Sequence, residues 1–304
     1  MNDTPPRPVV AIGNFDGVHL GHAALLARAR AIADAQGRPL VAVTFEPHPR
    51  AFFNPDAPPF RLTPETVKAR RLKELDVDEV QILDFNAIMA GLSAAQFVDM
   101  IVVGHLDAAH VVVGSDFHFG KGRAGHVDTL QADGRFQVTA VTLEAAGDAP
   151  VSSTRIRAAL KEGDIAAANA MLGWAWEIEG PVVHGDARGR ELGYPTANMP
   201  LGETCVPAHG VYAARVLIDG EWRMGAANIG IRPMFATPEP LLEVYVLDFS
   251  GDLYGQTLRV QPVRKLRDEA KFDTLDALKA QIAQDVARAR EILGVAMAGM
   301  ESGR

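Results

Sequence analysis

The chain has a single cysteine, Cys205, in 304 residues, so no internal disulfide can form and no neighbouring thiol is available for a zinc site. A reducing, cytoplasmic setting suits such a chain, and its one thiol is expected to be a small buried apolar group. No apolar run approaches the roughly 18 residues of a membrane span, and the opening MNDTPPRPVV has neither the basic start nor the apolar stretch of a signal peptide. Excess positive charge is also missing: 30 Lys and Arg stand against 38 Asp and Glu, a formal charge of -8. Nucleic acid and acidic membranes reward clustered cations with counterion release, so neither is an expected partner. There is no internal repeat, coiled coil or low-complexity stretch, and nothing indicates an oligomer. What is present is enough length and apolar content, 48%, for two packed domains.

Up to about residue 170, short β-rich apolar segments alternate with longer helical patterns. The spacing predicts strands at about 9–12, 40–45, 79–83, 109–114 and 136–142, with helices at 25–35 and 94–106. That order predicts a doubly wound α/β half whose ligands bind beyond the carboxyl ends of its parallel strands. From about 176 the texture changes to short strands broken by Gly, Pro and Asn, such as 210–222 and 241–249, which predicts an antiparallel barrel or sandwich. LLGWAWEIEG (171–180) is the junction between a first domain at 1–172 and a second at 173–304. The second ends in a helix whose Leu275, Leu278, Ile282, Val286 and Leu293 form an apolar stripe, most simply a face packed on the barrel.

GNFDGVHLGH (13–22) directly follows a predicted strand and precedes a helical pattern. Helix-start N–H groups and the positive end of the helix dipole attract anions, and Gly13, Gly17 and Gly21 let a ligand approach the backbone. His19 and His22, three apart, share one face of the first turn and together can stabilise charge developing on a phosphoryl group under attack. One histidine alone would read as a structural residue; the pair at a Gly-rich turn reverses that weighting. No third His or Cys lies close by in sequence to make the pair a metal site.

Basic clusters lie at 121–125, 153–157, 188–193 and 264–267, two of them interspersed with glycines. Solvated surface is the default for any one of them. In VSSTRIR (151–157), Ser152, Ser153 and Thr154 suit a helix cap, and Arg155 and Arg157 beside it favour a pyrophosphate cradle. In HGDARGRELGYPTANM, Gly185, Gly189 and Gly193 space a basic loop able to wrap phosphates. Thr196 and Asn198 offer neutral oxygens of the kind that suit Mg²⁺ held mainly by phosphates and water, although PTAN read blindly is only a turn. Glu243 alternates in facing with Val244, which places its carboxylate toward the barrel interior; a solvated edge residue is the plainer alternative.

GNFDGVHLGH, TFEPHP (44–49), GSDFHFGKGR (114–123) and SSTRIR (152–157), in this order, resemble the adenylyltransferase half of bifunctional riboflavin kinase/FAD synthetases, and PTAN resembles the signature of their riboflavin kinase half. The likeness runs over the whole chain. It implies a nucleotidyltransferase-like α/β domain followed by a riboflavin kinase-like antiparallel β-barrel with a terminal helix, acting on ATP with Mg²⁺, on riboflavin, FMN and FAD, and releasing pyrophosphate. It implies that His19 and His22 hold ATP phosphates in a site also lined by Gly13, Asn14, Phe15, Asp16 and Gly17. Ser152, Ser153, Thr154 and Arg155 would help hold the pyrophosphate, Asp116 and Phe117 would lie beside nucleotide or flavin, and Glu46, Pro47 and His48 would be near the site, although a structural turn explains the prolines equally well. In the second half the likeness gives Thr196 and Asn198 to Mg-ATP with Gly185, Gly189 and Gly193, makes Glu243 the base for the ribityl hydroxyl, and puts Arg267 on a flavin-side loop.

Two departures stand out: Met234 where the family usually has Thr, and Trp174, Ala175 and Trp176 where it usually has RPY. They keep open an adenylyltransferase with a kinase-inactive, flavin-binding second half. A flavin-binding regulator without turnover would lack a main catalytic group, and none is missing. An adenylyltransferase for another mononucleotide would leave the second half without a task.

Overall fold

The computed structural model describes residues 6–142, 151–185, 188–232 and 239–301, which divide into two compact units. Residues 1–58 and 63–152 belong to the first; 59–62 and 153–304 belong to the second. Met234 lies outside the described residues.

The first unit is built on five parallel strands, β1 (Val9–Ile12), β2 (Leu40–Glu46), β3 (Glu79–Asp84), β4 (His110–Gly114) and β5 (Gln137–Val141), in the order β3-β2-β1-β4-β5. β1, β2 and β4 are near-continuous Val, Ile, Leu and Ala because both of their faces are buried. Val9, Ala11, Leu40, Ala42 and Val112 face one way and pack on Leu25, Leu26, Ala29 and Ala33 of the helix Leu20–Gln36. Val10, Ile12, Val41, Val43, Val111 and Val113 face the other way and pack on Phe97, Val98 and Val102. Helices on both faces of a parallel sheet make the unit doubly wound. The expected helix at 94–106 opens as a short α-turn, Ala94–Phe97, capped by the Ser93 and Gln96 side chains, and continues as a π-wound stretch, Val98–His105.

The second unit has six antiparallel strands, β6 (Ile178–Pro181), β7 (Thr196–Pro200), β8 (Gly210–Ile218), β9 (Glu221–Arg232), β10 (Glu239–Val246) and β11 (Thr257–Arg267), in the order β6-β11-β8-β9-β10-β7. Val183, just past β6, donates its N–H to Asn198 of β7 at 2.8 Å, which brings the two edges together and nearly closes a barrel. β8 and β9 turn on Asp219 and Gly220, both at positive φ (51° and 83°), the two-residue Asp-Gly hairpin whose twist matches that of its strands. Tyr212, Ala214, Val216, Ala227, Ile229, Leu242 and Val244 are fully or almost fully buried along one side of the strands. Val211, Ala213 and Leu266, on the other side, carry the terminal helix Leu275–Glu301.

That helix docks differently from its expected stripe. Ala289 and Leu293 are fully buried on the barrel, whereas Leu275 is 67% exposed. The reason is a charged anchor that periodicity does not reveal: Arg267 of β11 grips Asp285 through three contacts of 2.8–3.0 Å, and Arg290 holds Asp248 at 2.7 and 3.0 Å. Residues 59–62 form part of the same unit. Arg61 bridges Thr204, Cys205 donates its N–H to the Arg61 carbonyl at 2.7 Å, and the buried Trp176 indole donates to the Leu62 carbonyl at 2.9 Å. Trp176 thus serves as a packing and hydrogen-bonding anchor.

Leu293→Ala is expected to destabilise the protein by about 2–5 kcal/mol, while Leu275→Ala changes stability by less than about 0.5 kcal/mol. Denaturant melts of the two variants check this; equal effects would contradict the docking face described.

Candidate functional site

β1 lies at the centre of its sheet with β2 on one side and β4 on the other, so the segment that follows it leaves at the point where strand order reverses, the usual ligand crevice of such sheets. Gly13 donates its N–H to Val43 at 3.0 Å, and a side chain there would press on the Phe15 ring. The turn then passes through positive φ at Phe15 (48°), Gly17 (91°) and Val18 (39°). A β-branched residue there costs on the order of 1–3 kcal/mol, so something must hold it. Asp16, only 2% exposed, accepts from the Thr63 N–H at 3.1 Å and the Thr63 hydroxyl at 3.4 Å, and that hydroxyl accepts from the Gly17 N–H at 2.8 Å. Phe15 is buried in the core under the helix. Phe15 and Asp16 therefore shape the turn from below, while Asn14 is exposed on it.

His19 caps the helix Leu20–Gln36, its Nδ1 accepting from the His22 N–H at 3.3 Å. A neutral His19 in this arrangement carries its proton on Nε2. The two imidazoles stack, with centroids 3.7 Å apart and planes 13° from parallel. Burial, then the neighbouring His19 and the Lys68 ammonium, hold His22 well below the 6.5 of a free imidazole. Its Nδ1 is buried and has no hydrogen-bond partner among the described residues. The start of a 17-residue helix thus presents two stacked imidazoles and the positive end of a dipole, a setting suited to polyphosphate.

Beneath this turn is a group that sequence reasoning missed. Lys68, fully buried, forms an ion pair with Glu46 at 2.6 Å and donates to the Thr44 hydroxyl at 2.9 Å, the Phe45 carbonyl at 3.4 Å and the Asn14 carbonyl at 3.5 Å. Thr44 also donates to the Asn14 carbonyl, at 3.0 Å. The available signal was its place in ETVKARRLK, where Lys68 stands four residues before the buried Leu72 and beside the buried Val67. His48 caps the short helix Pro49–Phe53, accepting from the Arg50 N–H at 3.0 Å.

Asp116 and Phe117 follow β4, the neighbour of β1, and so belong to the same carboxyl edge of the sheet; Asp116 is exposed and Phe117 half-buried against Phe119. Lys121 and Arg123 stand exposed on a loop closed by two hydrogen bonds between Phe119 and Gly125. Ser152 ends the first unit. Ser153, Thr154 and Arg155 form the first turn of the helix Ser153–Glu162 in the second.

In the second unit the strand register assembles the remaining residues. Thr196 and Asn198 share one face of β7, and Asn198 pairs directly with Glu243 of β10, which pairs in turn with Asn228 of β9. Directly paired residues present their side chains on the same side of a sheet. That row continues to Val211, under the terminal helix, so Glu243 lies on the outer face of the barrel. The inward facing expected for it is corrected: Leu242 and Val244, its fully buried neighbours, take the interior. Asn198 is 5% exposed, and its Oδ1 accepts no hydrogen bond among the described residues. Gly185 packs on the Asn198 amide, where a Cβ would come within 2.6 Å, and a Cβ at Gly189 would collide with the Tyr194 carbonyl and approach the Thr196 hydroxyl. Gly193 takes φ 87°. Arg267 shares the outer face opposite Val211, with its guanidinium committed to Asp285. Asn228 is a second residue missed earlier, because only the register reveals that it flanks Glu243.

A family model described as FAD synthetase matches residues 1–155, and one described as riboflavin kinase matches 172–293. A bifunctional riboflavin kinase/FMN adenylyltransferase from Escherichia coli (strain K12) is 43% identical over 291 residues, covering 94% of this chain and 93% of that one. A protein of the same description from Pseudomonas fluorescens is 46% identical over 288 residues, covering 93% and 92%. A solved structure described as a macrolide-efflux protein from Streptococcus pneumoniae matches with a TM-score of 0.84 at 33% identity, over 95% of this chain and 96% of that one.

His22 is expected to stay neutral as the pH falls past 6.5, where an unfolded chain already takes up the proton. Its contribution to stability therefore declines as pH drops through that value. A polyphosphate at the helix start should raise its pKa. NMR titration of the imidazole with and without ATP measures both; a value at or above 6.5 in the free protein would refute the placement.

Proposed function

The chain belongs to the family of bifunctional riboflavin kinase/FMN adenylyltransferases, phosphorylating riboflavin to FMN and adenylylating FMN to FAD, and on that premise we propose which residues perform each step. The kinase belongs to the domain at 173–304 and the adenylyltransferase to that at 1–172. The observation that carries the assignment is the register that sets Glu243 directly opposite Asn198.

In the kinase, Glu243 takes the proton from the terminal ribityl hydroxyl as that oxygen attacks the γ-phosphorus of ATP and ADP leaves. The backbone at Gly185, Gly189 and Gly193 gives the phosphates close access, and Arg267 borders the flavin side. Mg²⁺ fits the residues present: the buried, unpartnered Oδ1 of Asn198 and the Thr196 hydroxyl are neutral oxygen donors for an ion whose charge ATP balances. Bound there, the ion would neutralise charge on the β- and γ-phosphates.

In the adenylyltransferase, an FMN phosphate oxygen attacks the α-phosphorus of ATP and pyrophosphate leaves. The reaction needs no covalent intermediate on the protein, so positioning and charge stabilisation carry it. His19 and His22 stabilise the phosphoryl oxygens, with Asn14 beside them and Gly13, Phe15, Asp16 and Gly17 setting the turn. Ser152, Ser153, Thr154 and Arg155 hold the departing pyrophosphate, and Asp116 and Phe117 border nucleotide or flavin. A cytoplasmic location fits the demand for ATP. Among the described residues no helix is long and apolar enough to cross a membrane.

Two substitutions test the division. His22→Ala is expected to lower FAD formation about 10²–10³-fold and leave FMN formation unchanged. Glu243→Gln is expected to lower FMN formation about 10²–10⁴-fold and leave adenylylation of supplied FMN intact. Chromatography of the flavins over time reads both; loss of both activities in either variant would refute the assignment.

A further inference from the structure

We propose that Lys68 is a positioning residue of adenylyl transfer, its ammonium clamped by Glu46 so that it fixes the backbone at Asn14 beneath the phosphate-facing turn. The inference rests on the reading of His19 and His22 as the phosphate-binding pair. A lysine with no exposed surface is costly to bury unless it is paired and hydrogen-bonded, and Lys68 is both. Glu46 pairs with it at 2.6 Å, and further contacts run to the Thr44 hydroxyl and to the Phe45 and Asn14 carbonyls. These contacts join the carboxyl end of β2 to the first exposed residue of the turn after β1. A salt bridge serving packing alone could be replaced by an apolar pair at little cost. This one ends on the backbone of the turn that presents the histidines.

The charge acts upward as well. Groups facing Lys68 include Glu46, Thr44 and the carbonyls of Asn14 and Phe45, and its charge is felt at His22 above the turn. Lys68 is one of the influences that keep His22 uncharged in the free enzyme. When the triphosphate arrives, it meets a turn already held by the Lys68–Glu46 pair and a helix dipole already oriented, so little reorganisation accompanies binding. The sequence conceals this because Glu46 and Lys68 are 22 residues apart, on a strand and a helix that meet only in the folded unit.

The double variant Glu46→Gln/Lys68→Met removes both charges and leaves neither partner alone. It is expected to melt close to wild type, to make FMN from riboflavin at the wild-type rate, and to lose about a hundredfold in kcat for FAD formation. The His22 pKa should rise toward 6.5. Lys68→Arg, which keeps the charge, should form FAD faster than the double variant. A folded double variant that forms FAD within about twofold of wild type, or Lys68→Arg no better than the double variant, would overturn the proposal. Wild-type protein fed FMN and ATP runs in parallel: no FAD there would instead overturn the reading of the histidine site.

Discussion

The Asp16 carboxylate on Thr63 is the interaction on which the first site depends. Between β1 and its helix the chain must reverse within a few residues and still present imidazoles and helix-start N–H groups on one side. That demands positive φ at Phe15, Gly17 and Val18, conformations that only glycine adopts freely. Thr63 holds the turn from both sides, accepting from Gly17 and donating to Asp16, while Phe15 plugs the core beneath. The sheet supplies the remainder. With β1 central and both faces covered, the turn emerges from a rigid platform, and its strain is offset by burial of the strands below.

The second site uses register where the first uses a turn. No single loop holds Thr196, Asn198 and Glu243; antiparallel pairing of β7 with β10 sets them side by side, and the same row runs on through Asn228 to the strand under the terminal helix. A slip of one residue would turn Glu243 inward and expose Val244, so the apolar interior that stabilises the barrel also fixes the placement of the base. The Arg267–Asp285 clamp fastens the terminal helix on that same outer face.

Much of this was legible in the sequence, for physical reasons. The central strands of the first unit are Val- and Ile-rich because parallel strands are buried on both faces, whereas the segment 210–222, read as a strand, is split by a turn at Asp219 and Gly220 into two. The glycine-spaced turn with paired histidines announces an anion site through spacing alone. What could not be read depends on contacts between distant segments. Lys68 looks like one more cation of a charged helix until Glu46 is found beside it. Alternation along β10 separates Glu243 from Val244 but does not say which side of a barrel is inside. Periodicity in the terminal helix marked Leu275, yet the helix is seated by charged anchors farther along its length.

The central claim is that two chemically independent sites share one chain, and mixing tests it most directly. His22→Ala protein, able only to make FMN, is combined with Glu243→Gln protein, able only to adenylylate it, and given riboflavin, ATP and Mg²⁺. The account predicts that the mixture forms FAD although neither protein does so alone. No FAD from the mixture, together with no FAD when Glu243→Gln protein is fed FMN directly, would contradict it.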